Sequence, residues 1–187
     1  DKRIKVYNHI SEIPGSGNFL FVLSKATGKY FKWNCADDII SPDFIEKNID
    51  FLENNSNYSC SSSKFWFERE EQNIYGKSIN QDLYNRIKNF FNIRFVSHNI
   101  FYGISKKSNM DKIDYMGKLY LANDWMTSLA LLTQGNFKTI DEGYIICGNG
   151  ESRSKDFFKT KVHNSKKIYS ILPFYEFSKD FIKLISF

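Results

Sequence analysis

The sequence predicts an α/β domain in which helices pack on a mixed sheet. Helix-period and strand-period stretches alternate along all 187 residues, the signature of a layered α/β structure. With 42% hydrophobic and 25% charged residues, the chain has an ordinary globular balance and enough length for a well-packed core. No segment repeats at a fixed period and no linker-like stretch separates the halves, so a single domain over 1–187 is expected.

The chain opens at Asp1 without a methionine, as an excised or truncated piece would, and Ile4–Tyr7 reads as a strand entered in mid-domain. Asn18–Ala26 is an apolar helix closed by Gly28. Tyr30–Ala36 is a strand built on Tyr30, Phe31 and Trp33, and it leads into Asp37 and Asp38. Ser41 then reads as an N-cap with Pro42 in the first helical position, opening an amphipathic helix Ser41–Asn54 that buries Phe44, Ile45, Ile49 and Leu52. Tyr58–Glu68 is strand-like, serine-rich at first and ending on Phe65-Trp66-Phe67.

After a break at Gly76–Asn80, Gln81–Phe91 is a helix, Ser97–Ser105 a strand, and Met110–Leu121 a connection without a clear period. Asp124–Gln134 is a helix stopped by Gly135. Phe137–Ile140 and Tyr144–Cys147 are short strands on either side of a turn, Asp141-Glu142-Gly143, and a loop GNGESRS follows. The tail from Lys166 is basic and aromatic, and Pro173 divides it into two short helices.

A net charge of +5 favours anionic partners, but no dense Lys/Arg block appears, so the excess reads as a solvated surface and nucleic acid is not expected as a partner. The three cysteines, Cys35, Cys60 and Cys147, are widely spaced and form neither a zinc pattern nor a disulfide framework; a reducing, cytoplasmic setting fits them. No apolar run approaches a membrane span. The tail could lie on the inner face of a membrane, but its apolar content favours packing against the sheet.

The Asp37-Asp38 pair carries the chemistry. In open α/β sheets ligands bind beyond the carboxyl ends of strands, where these two carboxylates would meet a phosphorylated ligand and its cation. Magnesium and manganese take oxygen ligands and often use only one or two protein carboxylates. The competing reading is a helix cap; Ser41, itself a good cap, stands between the pair and the helix and weakens it.

Three blocks in order, GKYFKWNCADDIISPDFIEKNIDFLENN, SHNIFYGISKK and NDWMTSLALLTQGNFKTIDEGYIICGNGESRS, resemble family 2 glycosyltransferases of the GT-A fold. They correspond to that family's metal-binding acidic motif, its acceptor-side strand and the acidic helix start that carries its base. The resemblance covers 1–154 and leaves 155–187 as a helical C-terminal tail. It implies a Rossmann-like mixed sheet, lacking the N-terminal β-α-β part with which family members open.

The resemblance further implies an inverting sugar transfer from a nucleotide-diphosphate donor to a saccharide or lipid-linked acceptor, assisted by manganese or magnesium. Asp38 is then the metal ligand and Asp37 lies toward the ribose or a metal-bound water. Asp124 is the catalytic base, at a helix start that favours its ionised form, although Asn123 stands where relatives carry another acid. Arg153, in the loop after the last strand, would close over the diphosphate. His98, Tyr102 and Trp125 would line the acceptor side, while Trp125 could equally pack in the core. His163 reads as a surface bystander.

Two other classes stay open at this stage. One is a glycan- or nucleotide-binding module without chemistry. The other is a basic, metal-dependent nucleic-acid binder stacking bases on Phe65, Trp66 and Phe67.

Overall fold

The centre of the fold is a pair of long parallel strands, β3 (Tyr58–Phe67) and β5 (Asn136–Cys147). Three short strands complete a mixed sheet in the order β1-β4-β3-β5-β2: β1 is Tyr30–Phe31, β2 is Ile39–Ile40 and β4 is Ile104–Lys106. The computed structural model describes residues 1–11, 15–70, 73–114, 118, 120–148, 172 and 174–186. Its helices are α1 (Gly15–Lys25), α2 (Phe44–Asn54), α3 (Leu83–Asn92), α4 (Val96–Phe101), α5 (Lys107–Met110), α6 (Asn123–Gln134) and α7 (Tyr175–Ile185). Among the described residues no helix is long and apolar enough to cross a membrane.

The serine run of β3 explains how helices reach both faces of the sheet. Ser59, Ser61, Ser62 and Ser63 are all buried, and their small side chains let helices approach closely. Asn48 of α2 donates to Ser63 Oγ (3.0 Å), and Ser61 Oγ donates to the Asn48 carbonyl (3.2 Å). Asn99 of α4 donates to Thr139 Oγ1 (3.1 Å), and Thr139 lies level with Ser62. Because successive strand residues face opposite ways, α2 and α4 cover opposite faces. Apolar packing follows the same division. Ile100, Met126, Leu129, Leu131 and Phe137 form the larger cluster, and Phe44, Leu52, Phe65, Phe67 and Ile145 the smaller.

The α/β class and the mixed sheet agree with expectation, but several elements differ. Ile4–Tyr7 is not a strand: it has no sheet neighbour, and Ile4 and Val6 are 70% and 80% exposed. The expected strand Tyr30–Ala36 shortens to Tyr30–Phe31, after which 32–38 carry the chain from one edge of the sheet to the other. β2 therefore separates Asp38 from α2. That helix starts at Phe44 on Asp43 rather than on Ser41, whose hydroxyl donates to Asp43 Oδ1 (2.6 Å) and accepts from the Tyr144 amide (3.0 Å).

The segment expected as a strand over Ser97–Ser105 is the helix α4 followed by β4. The turn expected at Asp141-Glu142-Gly143 is a bulge inside one continuous β5: β3 passes from Ser63 to Lys64 while β5 passes from Ile140 to Tyr144. In the tail, α7 packs on α6 and α3, with Phe177 against Trp125 (6.3 Å between ring centres) and Phe181 against Phe91 (5.7 Å).

Candidate functional site

The crossing segment 32–38 brings the acidic pair to the carboxyl end of β5. β2 pairs antiparallel with β5, Ile39 against Ile146, which sets Asp38 level with Cys147. A turn closed by the Asp38 amide on the Cys35 carbonyl (3.3 Å) aims Asp38 at the end of that strand, and Asp38 Oδ1 accepts from the Gly148 amide (3.1 Å). Gly148 is required there, since a Cβ would collide with the carboxylate and the backbone oxygen of Asp37. The end of β5 thus grips both members of the pair through a residue with no side chain.

Asp37 and Asp38 offer hard oxygen donors, and Asp38 Oδ2 takes no hydrogen bond among the described residues. No group of three or more His, Cys, Asp or Glu gathers among them to cage an ion. A divalent cation on this pair would therefore draw its other ligands from water and from oxygens of a bound molecule, a pattern that suits magnesium or manganese.

Helix α4 supplies His98 and Tyr102 one turn apart. His98 Nε2 lies 3.2 Å from Cys147 Sγ, the residue level with Asp38, and its ring packs between Phe65 and Tyr102 (5.2 and 4.7 Å between centres). Tyr102 lies near enough to the Cys35 thiol of the crossing segment for each group to influence the other's ionisation. Burial pushes the Tyr102 hydroxyl far above its ordinary range, with the Cys35 contact next in weight and the charges of Asp38 and Asp124 adding to it. Burial also raises the Cys35 thiol, against the influence of Tyr102.

Asp124 comes from the first turn of α6. The helix dipole favours its charge, and hydrogen bonds from its own amide and that of Trp125 lower its pKa, but burial is the larger influence and the carboxyl is pushed up. The helix start thus favours the ionised form, as expected, and burial acts against it. By accessible surface the residue is exposed, so its carboxyl is crowded by neighbouring protein rather than sealed from water. Trp125, 37% exposed, turns toward Phe90, Phe91 and Phe177 (5.9, 6.3 and 6.3 Å between ring centres).

The two helices that deliver these groups share an unusual start. Among the described residues the only non-glycine positions with positive φ are Phe95 (57°) and Ala122 (65°), and they are the N-caps of α4 and α6. Each such backbone costs on the order of 1–3 kcal/mol, and strain of this kind concentrates where geometry is needed for function.

The structure thus draws Asp37, Asp38, His98 and Tyr102 together at one end of the sheet, with Asp124 within electrostatic reach of Tyr102. Arg153, its loop from Asn149 to Ser154, and His163 lie outside the described residues. Three participants escaped the sequence reading. Cys35 and Cys147 were weighed only as zinc or disulfide partners. Lys32 is a half-buried ammonium that feels Asp38; its position between the core residues Phe31 and Trp33 was the available signal. No family model matches the chain, and no curated protein matches it.

Proposed function

We propose that this chain is a sugar transferase domain of the family 2, GT-A type, using a nucleotide-diphosphate donor and inverting the anomeric carbon. The observation that carries the reading is the seating of the acidic pair at the carboxyl end of β5, where Asp38 Oδ1 accepts from the Gly148 amide (3.1 Å) and His98 Nε2 lies 3.2 Å from Cys147 Sγ. A transferase needs two carboxylates in one site with different tasks, and these two differ as required: Asp38 is tied to a backbone amide, while Asp124 is made more basic by burial.

In the reaction, an acceptor hydroxyl oxygen attacks the anomeric carbon as the bond from that carbon to the diphosphate oxygen breaks. The bonding pair leaves with the diphosphate. Asp124 takes the hydroxyl proton, and a base so placed contributes about a hundredfold to ten-thousandfold. Manganese or magnesium held by Asp38, with Asp37 beside it, would supply positive charge to the departing diphosphate. His98 and Tyr102 line the side from which a saccharide or lipid-linked acceptor would approach. Gly148 holds the acidic turn in place.

The test is calorimetric titration of the 187-residue chain with UDP and GDP, with and without manganese. Metal-dependent binding that disappears in Asp38→Ala is the expected result. In a transfer assay, Asp124→Asn should abolish turnover and leave that binding within about twofold. Metal-independent binding, or turnover retained in Asp124→Asn, would overturn the assignments.

A further inference from the structure

Both sequence neighbours of Asp124 are held by α7, a helix that contributes no group to the candidate site. On one side Trp125 meets the ring of Phe177 edge-on at 6.3 Å. On the other, Asn123 donates from Nδ2 to the Lys118 carbonyl (2.9 Å), and the Lys118 ammonium donates to both oxygens of Asp180 (2.7 Å each). Asp180 is 1% exposed. An aspartate this deep is costly unless paired, and an apolar residue would fasten α7 to α6 at least as well. What the ion pair adds is direction: it fixes one backbone carbonyl, that of Lys118, against the residue preceding Asp124.

We propose that Asp180 is a positioning residue for Asp124, acting through Lys118 and Asn123 to hold the first turn of α6 in place. The proposal rests on the reading of Asp124 as the base, since only a reacting group needs its chain neighbours fixed on both sides. Phe177 and Asp180 lie nearly one helical turn apart on α7, so one face of that helix reaches Trp125 and Lys118 together. The strained cap at Ala122 lies inside the same span and depends on surroundings that hold it.

The test is a carboxyl carbon NMR titration of Asp124 in the wild-type chain and in Asp180→Asn, Lys118→Gln and Leu184→Ala. Burial, rather than a neighbouring charge, is the main influence that raises this carboxyl, and Tyr102 facing it from α4 stays neutral through the range, so the midpoint reports packing. Loss of the link should lower the midpoint by about half a pH unit or more in both Asp180→Asn and Lys118→Gln. A direct effect of the lost charges would instead lower it in the first and raise it in the second.

Leu184→Ala loosens the packing of α7 on the core one turn beyond Asp180 while leaving the ion pair itself intact, and should leave the midpoint unchanged. An unmoved midpoint in the folded variants, shifts of opposite sign, or an equal shift in Leu184→Ala would overturn the proposal. Should Asp180→Asn fail to fold, Lys118→Gln reads the same link from its half-exposed end. No turnover enters this measurement, so its failure refutes the positioning role alone, whereas failure of the donor titration refutes the transferase reading.

Discussion

Lys32→Met should stabilise the protein at neutral pH and lose that advantage in alkali. Lys32 sits between Phe31 and Trp33, which are 7% and 4% exposed, and its ammonium lies 5.3 Å over the Phe44 ring. It donates to the Trp33 carbonyl (2.8 Å) and to Asn34 Oδ1 (3.0 Å), and forms no ion pair among the described residues. Burial pushes it down from 10.5 to about 8, with Asp38 the largest of the charges resisting the change.

Each unit of such a difference is about 1.4 kcal/mol, so the charge costs at most roughly 3 kcal/mol; solvent screening and the two lost hydrogen bonds leave about 1–2 kcal/mol to be gained by the methionine. Below the folded midpoint near 8 the amine is charged in both states and the full cost is present. Between about 8 and 10.5 the unfolded chain keeps a proton that the folded chain has released, so wild-type stability rises with pH across that window. Urea unfolding of both proteins near neutral pH and again near the top of the window measures the gap. A methionine variant less stable at neutral pH, or a gap that does not close in alkali, would refute the reasoning.

Gly148→Ala should cost about 1–3 kcal/mol in a thermal melt and weaken manganese-dependent nucleotide binding at least about tenfold, because its Cβ would displace Asp37; unchanged melting and binding would dismiss the grip of β5 on the acidic turn. Ala122→Gly should raise stability by about 0.5–1 kcal/mol by relieving the left-handed backbone, and a loss measured by denaturant would show that the alanine methyl, packed on the core, outweighs the strain. Since burial raises the Asp124 carboxyl and a base acts when ionised, turnover should fall as pH drops through a midpoint above the ordinary aspartate range. An acid limb at or below that range would remove Asp124 from the role.

Much of the layered order was legible because long apolar helices and aromatic strands announce themselves. α6 and β3 fall within a residue or two of expectation. The failures have specific causes. In α4 the aromatic and β-branched residues suggest a strand, but the buried set Val96, Asn99 and Ile100 repeats at helical spacing, and packing against α6 decides. Gly103 ends that helix where a Cβ would meet Cys60 Sγ at 2.7 Å, a contact that exists only once β3 is in place. Gly143, with φ of 69°, signals a reversal, yet the neighbouring β3 keeps its pairing on both sides and turns the reversal into a bulge.

In the candidate site, the place of Asp38 beyond a strand and of Asp124 in a first helical turn could be read from the local pattern, as could those of Asp43 and Asp82 at helix caps. Cys35 acquires its place only from the passage of 32–38 across the sheet, which no local pattern encodes, and Cys147 meets His98 only once β5 and α4 are packed together.

That passage also separates two kinds of work within the site. Burial holds both the Cys35 thiol and the Tyr102 hydroxyl in their neutral forms at physiological pH. Neither can then supply a base or a fixed negative charge. The charges of Asp38 and Asp124 both act on the Tyr102 hydroxyl and oppose its ionisation, so it stays a neutral group. Replacing Tyr102 by phenylalanine keeps the ring against His98 and removes only the hydroxyl, so a shift in the Asp124 titration would be traceable to that hydroxyl and an unmoved titration would exclude its influence.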